Sequence, residues 1–398
     1  MGRWGVVLLA GLALAACSKD RKSKVEPPAE LVKFQSTIRV DRAWQASMGG
    51  DKPEMRLGLG LGAFGANVYA ASPDGQVAAF DLKTGRALWR VKTKAVLGGG
   101  TGAGAELVAV GSRDGEVLAL DAKTGALRWR MPVSGEVLAA PAVSDTVVVV
   151  RTVDGRLYGF ASADGKQLWN EEQQVPRLSL RGTARPVIAG DTVICGFDNG
   201  RVVSMNLLDG AVLWDMAVAP ARGRSELERL NDIDSQVRVL GDDVYVVGFQ
   251  GRAAMLARDS GQIWWSRDLS SFRGMDVDDE QAVVATSDGD LVAMQRRTGT
   301  EIWRNDSLKR RSLSSPTLLG DLVAVADFEG YVHWFAKSDG KLVARTSVGD
   351  RVSNPPLAVD GLLLVMDDKG GIAAFRPQAL APEAAPAAEA VAAPASGG

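Results

Sequence analysis

Apolar and polar residues alternate in short runs along most of this chain of 398 residues. The run Arg156-Leu-Tyr-Gly-Phe160 has the two-residue period of a β-strand, and similar runs recur between glycine-containing turns. The Asp-Gly and Thr-Gly pairs between runs supply the positive backbone angles of tight hairpins. No stretch of the repeating region has the longer period of an amphipathic helix. The pattern therefore predicts an all-β protein built from short antiparallel strands.

This strand pattern repeats eight times. A full copy reads Asp, Asn or Gln followed by Gly, an alternating apolar run, a second X-Gly pair and a tryptophan, as in residues 74–89 and 114–129. The seventh copy, residues 329–344, lacks the tryptophan, and the eighth stops halfway after Lys369. Successive first glycines are separated by 40, 40, 45, 51, 38, 41 and 40 residues. This period is the length of one four-stranded propeller blade.

The half copy at the end of the chain has a matching half at the start. Residues 38–44 end in a tryptophan that lies 45 residues ahead of Trp89, but no Asp-Gly hairpin precedes them. We expect this strand to complete the blade begun by residues 356–375, because a blade shared by both termini leaves no unpaired end. The sequence thus predicts one eight-bladed β-propeller of quinoprotein-type repeats over residues 36–377, closed by the N-terminal strand.

The first residues resemble the signal of a bacterial lipoprotein. Arg3 precedes an apolar run over residues 5–16 that is too short to span a membrane. The run ends in Leu14-Ala-Ala-Cys17, which resembles a lipobox. This resemblance implies that residues 1–16 are removed, that the cysteine is acylated, with palmitate among its acyl chains, and that Ser18 permits transfer to the outer membrane. An ordinary cleaved signal with a chance cysteine is the alternative.

Two polar or low-complexity segments flank the propeller. Residues 17–35 are predicted to form a tether. Residues 378–398 consist mostly of Ala, Pro, Glu, Ser and Gly and bury too little apolar surface to fold, so we expect a disordered tail. Without residues 1–16 the chain carries 45 basic and 48 acidic side chains. This balance gives no indication of nucleic-acid binding.

Few residues are candidates for chemistry. His333 is the only histidine, so no histidine pair can build a metal site, and a strand residue that is either packed or on the surface is the simpler interpretation. Cys195 is the only cysteine once Cys17 is lipidated, and its apolar strand favours a buried, inert thiol. The G-x-G-x-x-G run at residues 60–65 lacks a strand–helix context and is not interpreted as a nucleotide site. We expect no catalytic, cofactor or metal residues.

The tryptophans occupy one equivalent place per blade, which indicates packing between blades. Loss of one such side chain should cost about 3–5 kcal/mol. Their pattern, A-x-D-x-x-T-G-x-x-x-W, resembles the docking repeat of quinoprotein alcohol dehydrogenases, so a PQQ-dependent dehydrogenase is the enzymatic alternative. The resemblance implies an adjacent cysteine pair beside the quinone, but this chain has neither Cys-Cys nor a C-x-x-C-H haem motif. The repeat is shared, whereas the active site is not.

The repeat is interrupted at two consecutive connections between blades. The additions follow Trp169 and Trp214 and include residues 173–182 and 225–235. Equivalent connections lie side by side on one rim, so we expect these two to form a common patch suited to a protein partner. Plain variation in loop length is the alternative. The patch would combine apolar, basic and acidic side chains: Leu178, Leu180, Arg181, Asp232 and Asp234.

Together these features resemble the BamB family of outer-membrane assembly lipoproteins. The resemblance rests on the lipobox, the eight repeats, and the segments Leu178-Ser-Leu-Arg-Gly182 and Arg229-Leu-Asn-Asp-Ile-Asp234. It implies a non-enzymatic scaffold without a cofactor, anchored by lipid at the periplasmic face of the outer membrane. It also implies binding to the POTRA domains of BamA and assistance in folding and inserting β-barrel proteins.

The resemblance further implies that the patch on the two interrupted connections is the surface that contacts BamA. Arg181 would pair either with a carboxylate of the partner or with Asp232 and Asp234. The resemblance also raises the idea that exposed blade edges add to unfolded outer-membrane clients by β-augmentation. An independent periplasmic chaperone is therefore a second alternative to the scaffold.

Overall fold

The computed structural model describes residues 26–49, 59–174, 184–218, 232–233 and 235–379. These residues form eight antiparallel sheets of four strands each. The described residues contain no helix, and so none that could cross a membrane. Each sheet is one blade, and the first strands of consecutive blades touch around the centre of the ring. The predicted eight-bladed propeller is confirmed.

Each blade runs from an inner first strand to an outer fourth strand. Blades one to four contain β2 (Gly62–Phe64), β3 (Asn67–Ala71), β4 (Gln76–Asp81), β5 (Ala87–Lys92); β6 (Gly102–Ala103), β7 (Leu107–Gly111), β8 (Glu116–Asp121), β9 (Leu127–Pro132); β10 (Ala142–Val143), β11 (Val147–Arg151), β12 (Arg156–Ala161), β13 (Gln167–Glu172); β14 (Val187–Ala189), β15 (Thr192–Gly196), β16 (Arg201–Asn206) and β17 (Val212–Ala217).

The remaining blades follow the same order. Blades five to eight contain β18 (Arg238–Leu240), β19 (Asp243–Val247), β20 (Arg252–Ala257), β21 (Ile263–Asp268); β22 (Met275–Val277), β23 (Gln281–Ala285), β24 (Leu291–Gln295), β25 (Glu301–Asn305); β26 (Thr317–Leu319), β27 (Leu322–Ala326), β28 (Tyr331–Ala336), β29 (Leu342–Ser347); β30 (Leu357–Val359), β31 (Leu362–Met366), β32 (Gly371–Ala379) and, from the start of the chain, β1 (Ile38–Ser47).

The two ends of the chain close the ring. β1 lies antiparallel to β32, with Ile38 opposite Ala379 and Ser47 opposite Gly371. The pairing shifts register between Arg42 and Trp44, just before the tryptophan. The third and fourth strands of other blades shift register at the equivalent position. The N-terminal strand is therefore the fourth strand of blade eight, as predicted, and the closed ring has no free blade at either end.

Burial explains the two kinds of strand in the sequence. The second strands β7 and β11 are buried at every residue because each blade lies between two others, so their apolar runs are continuous. The fourth strand β9 is exposed except at Trp129 and partly at Met131, so its residues alternate. The core consequently lies between the sheets, in seven apolar clusters around the ring.

Seven joints between blades share one docking device. The indole nitrogen of each docking tryptophan donates a hydrogen bond of 2.8–3.0 Å to a backbone carbonyl of the next blade. Its ring covers a glycine in the turn between the third and fourth strands there. A Cβ on that glycine would lie only 2.4–2.8 Å from the ring. The pairs are Trp44/Gly85, Trp89/Gly125, Trp129/Gly165, Trp169/Gly210, Trp214/Gly261, Trp265/Gly299 and Trp303/Gly340.

The eighth joint, between blades seven and eight, explains the seventh copy's missing tryptophan. Ala344 holds that position, and the third and fourth strands of blade eight are the two chain ends. No hairpin joins them, so no glycine turn exists for an indole to cover. Trp334 of β28 instead packs edge-on against Phe375 of β32, with ring centroids 6.4 Å apart.

Residues 26–37, which we call the N-terminal strap, lie along blade seven. The amide of Ala29 donates to the carbonyl of Lys309 at 3.0 Å. Arg345 donates to the carbonyl of Val32 at 3.2 Å, and its guanidinium lies 5.2 Å from the ring centroid of Phe34. Part of the expected tether is thus docked on the propeller. Two contacts mark its ends, the ion pair Glu26–Arg310 and the bond from the Thr37 amide to the Val343 carbonyl.

Candidate functional site

The connections between blades lie on one rim of the ring, which we call the connection rim. Between β5 and β6, the amide of Leu97 donates to the carbonyl of Pro73, and the amide of Arg113 donates to the carbonyl of Val96. Pro73 and Arg113 belong to the hairpins between the second and third strands of blades one and two. The connection rim therefore contains both these hairpins and the two connections that interrupt the repeat.

Only part of the predicted patch can be placed. Leu178, Leu180, Arg181 and Asp234 lie outside the described residues, as do Cys17 and the predicted signal peptide. Asp232 is described, together with the residues at which both connections leave the propeller. We therefore describe the base of the site, meaning the residues at which the two connections leave the propeller.

The bases of the two connections meet at one hairpin, between β15 and β16. Asn199 in this hairpin donates through its side-chain amide to the carbonyl of Gln174, at 2.9 Å, where the first connection begins. Phe197 in the same hairpin accepts a 3.2 Å hydrogen bond from the amide of Ile233, where the second connection ends. This arrangement supports the expectation that the two connections are neighbours.

Asp232 is buried, with 1% of its surface exposed. Its carbonyl accepts a 2.8 Å hydrogen bond from the amide of Phe249. Ile233, also buried, covers Gly196, where a Cβ would lie 2.4 Å from the isoleucine side chain. The carboxylate of Asp232 therefore lies inside the base, and the surface display expected from the sequence is not available to it in this conformation.

A buried ion pair lies beneath the hairpin. Arg151, the last residue of β11 in blade three, contacts Asp198 of blade four, and both side chains are at most 1% exposed. The guanidinium also lies 5.1 Å from the centroid of the Phe197 ring. Two buried charges must keep one geometry to offset their loss of hydration, so the pair fixes the hairpin relative to blade three.

Sequence reasoning missed this pair, although the repeat contains a signal for it. The position of Arg151 is small or apolar in every other blade. The equivalent residues are Ala71, Gly111, Gly196, Val247, Ala285, Ala326 and Met366. A charge at the end of a buried strand needs a partner, and aligning the eight copies on their first glycines would have exposed the exception.

Cys195 is buried, as predicted, and His333 is also buried, which decides between the packed and surface positions that the sequence left open. Burial raises the pKa of Cys195 to about 11, so the thiol is protonated and unreactive at neutral pH. The imidazole of His333 lies 3.0 Å from Asp327 and accepts a 3.2 Å hydrogen bond at Nδ1 from Arg345. Since Nδ1 accepts, Nε2 carries the proton that is donated to Asp327, and the ring is neutral.

The histidine belongs to a charged cluster beneath the N-terminal strap. Arg311 donates to Asp327 at 2.8 Å and to the carbonyl of Ala29 in the strap at 3.0 Å. Burial lowers the pKa of His333, in keeping with a neutral ring. Within the described part of the chain, no group of three or more His, Cys, Asp or Glu side chains is placed to hold a metal ion.

Comparison with known proteins identifies the family. The sequence profile described as "Outer membrane protein assembly factor BamB" matches residues 73–305 and 287–379. A protein of that name from Alkalilimnicola ehrlichii is 44% identical over 372 residues, covering 93% of this chain and 96% of the relative. This chain belongs to the BamB family of outer membrane protein assembly factors.

Solved structures agree with the BamB assignment. The crystal structure of BamB from Moraxella catarrhalis superposes with a TM-score of 0.78 at 27% identity, covering 85% of this chain and all of that one. A quinohemoprotein alcohol dehydrogenase from Comamonas testosteroni superposes with a TM-score of 0.65 at 12% identity, covering 84% of this chain and 76% of the dehydrogenase. The likeness to the dehydrogenase is one of fold, which accounts for the shared docking repeat.

Proposed function

We propose that this chain is a non-enzymatic scaffold of the outer-membrane β-barrel assembly complex. It binds the periplasmic POTRA domains of BamA and assists the folding and insertion of outer-membrane proteins. Membership of the BamB family supports the assembly role. The location of the binding site is supported by one observation. Both interrupted connections leave the propeller beside the same hairpin, Phe197 to Gly200.

The proposed contact surface is the pair of connections themselves. Leu178 and Leu180 form its dry centre, and Arg181 contributes a charge that pairs with a carboxylate of BamA or with Asp234. If Arg181 loses water on binding, its removal should cost about 2–4 kcal/mol of binding free energy, because a partner group is then left unpaired.

Asp232 supports the proposed contact surface from a buried position beneath it. Because its side chain is buried, we assign it a positioning role at the base of the second connection. The ion pair of Arg151 with Asp198 holds the hairpin to which both connections are bonded. A base that is rigid before binding reduces the entropy lost when the complex forms, so these buried groups favour binding without touching BamA.

A lipid anchor at Cys17 would bring the connection rim close to the membrane. The strap reaches that rim at Glu26, which pairs with Arg310 in the connection between β25 and β26. The nine residue steps from Cys17 to Glu26 span at most about 30 Å when fully extended. We expect fractionation of cells to recover the native protein with the outer membrane and Cys17→Ala in the soluble periplasmic fraction. Equal membrane retention of the two would contradict the anchor.

Binding to purified POTRA domains tests the function and the site separately. The soluble chain beginning at Ser18 should bind saturably, and Leu178→Ala with Arg181→Ala should weaken binding by at least about 30-fold, equivalent to about 2 kcal/mol. The matched control is Val96→Ala with Lys92→Ala, which removes one exposed apolar and one basic side chain at the connection between blades one and two. This control should bind like the native protein.

The possible failures are distinguishable. If the native chain binds no POTRA domain but binds unfolded outer-membrane proteins, the scaffold proposal is wrong and an independent chaperone is supported. If the native chain binds and the folded double variant binds equally well, the function stands and the proposed surface is wrong. A thermal unfolding curve of each variant establishes that it is folded.

A further inference from the structure

The centre of the connection rim opens into a cavity at the mouth of the ring's channel. Its volume is about 290 Å³, and its walls are residues that precede or begin the first strands of seven blades. Three arginines line it: Arg185, Arg238 and Arg273. No acidic side chain is among its described lining residues. The described wall of the cavity therefore carries three guanidinium groups, one of which, Arg238, is paired with a carboxylate behind it.

Two of the arginines are held in place by their surroundings. Arg238 donates through Nε to the carbonyl of Met275 at 3.0 Å and lies 3.3 Å from a carboxylate oxygen of Asp276. The guanidinium of Arg273 lies 4.8 Å from the centroid of the Phe272 ring. Their guanidinium groups are therefore positioned before any ligand arrives, which lowers the entropic cost of binding.

Arg185 differs from the other two. It is half-buried and makes no hydrogen bond or ion pair with any described residue. Burial, and then the neighbouring charge of Arg238, lower the pKa of Arg185 to about 10. The group is still protonated at neutral pH, so the fold places a half-buried cation near a like charge. An anion in the cavity would relieve this cost.

We propose that the channel mouth binds a small organic anion of the di- or tricarboxylate class, with Arg185 as its principal ligand. Guanidinium groups bind carboxylates in a two-pronged geometry. Leu61, Leu138 and Leu357 add apolar walls that suit the carbon skeleton of such an ion better than inorganic phosphate. The volume lies near the lower end of the range for small-molecule sites, about 300–1,000 Å³.

Citrate is a suitable probe of the soluble chain beginning at Ser18. Calorimetric titration should show saturable binding of one citrate, and thermal unfolding should shift upward with citrate but not with sodium chloride at equal ionic strength. Arg185→Gln should weaken binding at least tenfold. In citrate-free buffer this variant should melt no lower than the native protein, because the substitution breaks no hydrogen bond or ion pair with a described residue and removes a like-charge repulsion.

Two further variants complete the experiment. Arg185→Lys keeps the charge but loses the two-pronged geometry, so it should bind citrate with intermediate affinity. Arg201→Gln removes an exposed arginine that pairs with Asp215 on blade four and should leave citrate binding unchanged. The proposal is overturned if citrate stabilises the native chain no more than chloride does. It is also overturned if the folded Arg185 variants bind citrate as tightly as the native chain. Neither result bears on the binding of BamA.

Discussion

The outside of the ring and its connection rim are held together in different ways. On the outside, seven joints repeat one tryptophan on one glycine turn. On the rim, buried charges lie beneath the segments that depart from the repeat. Arg151 pairs with Asp198 under the interrupted connections, and Arg311 pairs with Asp327, beside the neutral His333, under the strap. The tryptophan joints supply stability mainly through buried apolar area, with one hydrogen bond each, whereas buried charges are tolerated only in one arrangement. The comparison suggests that the repeat stabilises the ring and the exceptions position its functional segments.

The largest effect should come from removing one docking tryptophan. Trp265→Ala loses a buried indole and its 2.9 Å hydrogen bond to the carbonyl of Arg296, so unfolding free energy should fall by about 4–6 kcal/mol. The adjacent Trp264 is 56% exposed, and Trp264→Ala should change stability by less than about 0.5 kcal/mol. Urea unfolding of the two variants measures the contrast. Equal losses would show that the docking position has no special role.

Breaking the buried ion pair should have the next largest effect. Arg151→Met leaves the carboxylate of Asp198 buried beside an apolar side chain and should cost about 3–4 kcal/mol. Combining it with Asp198→Leu removes both charges and should recover much of this stability. The double variant should nevertheless bind POTRA domains more weakly, because the hairpin is no longer fixed. If a stable double variant binds POTRA domains as tightly as the native protein, the ion pair of Arg151 with Asp198 does not position the binding surface.

A smaller effect should appear as a pH dependence. The folded pKa of His333 is lowered by burial, below its ordinary value of about 6.5, so the unfolded chain binds the proton more readily. The contribution of His333 to the free energy of unfolding is therefore fully present above pH 6.5. It declines as the pH falls, by at most about 1.4 kcal/mol per pH unit. His333→Gln can keep both hydrogen bonds without titrating and should flatten the curve between pH 6.5 and 5.

Asp327 does not account for the same pH range. Its burial would raise its pKa, but the hydrogen bond from His333 and those from the Tyr331 amide and Arg311 outweigh burial and lower it. Its contribution to stability is thus lost only in more acidic solution, below its ordinary value of about 3.8. Unfolding curves of native protein and His333→Gln at each pH isolate the histidine. Parallel curves would contradict the assignment of a neutral ring.

Much of the architecture follows from the sequence because each copy of the repeat is one blade. The intervals between glycines gave eight blades, and the unpaired strand at Trp44 gave the closure. The same reasoning located the two interrupted connections. It did not find Arg151 and Asp198, because they are 47 residues apart and meet only when blades three and four are packed.

The chain's own pattern determines the number of blades, the docking positions and the way the ends join, because these depend on a period of about forty residues and on local turn chemistry. Tertiary structure alone decides which charges share a joint, where the strap runs and how Arg185 comes to face Arg238 at the channel mouth. Those relations join residues from different blades, and their energies depend on burial and distance, which no local pattern of residues records.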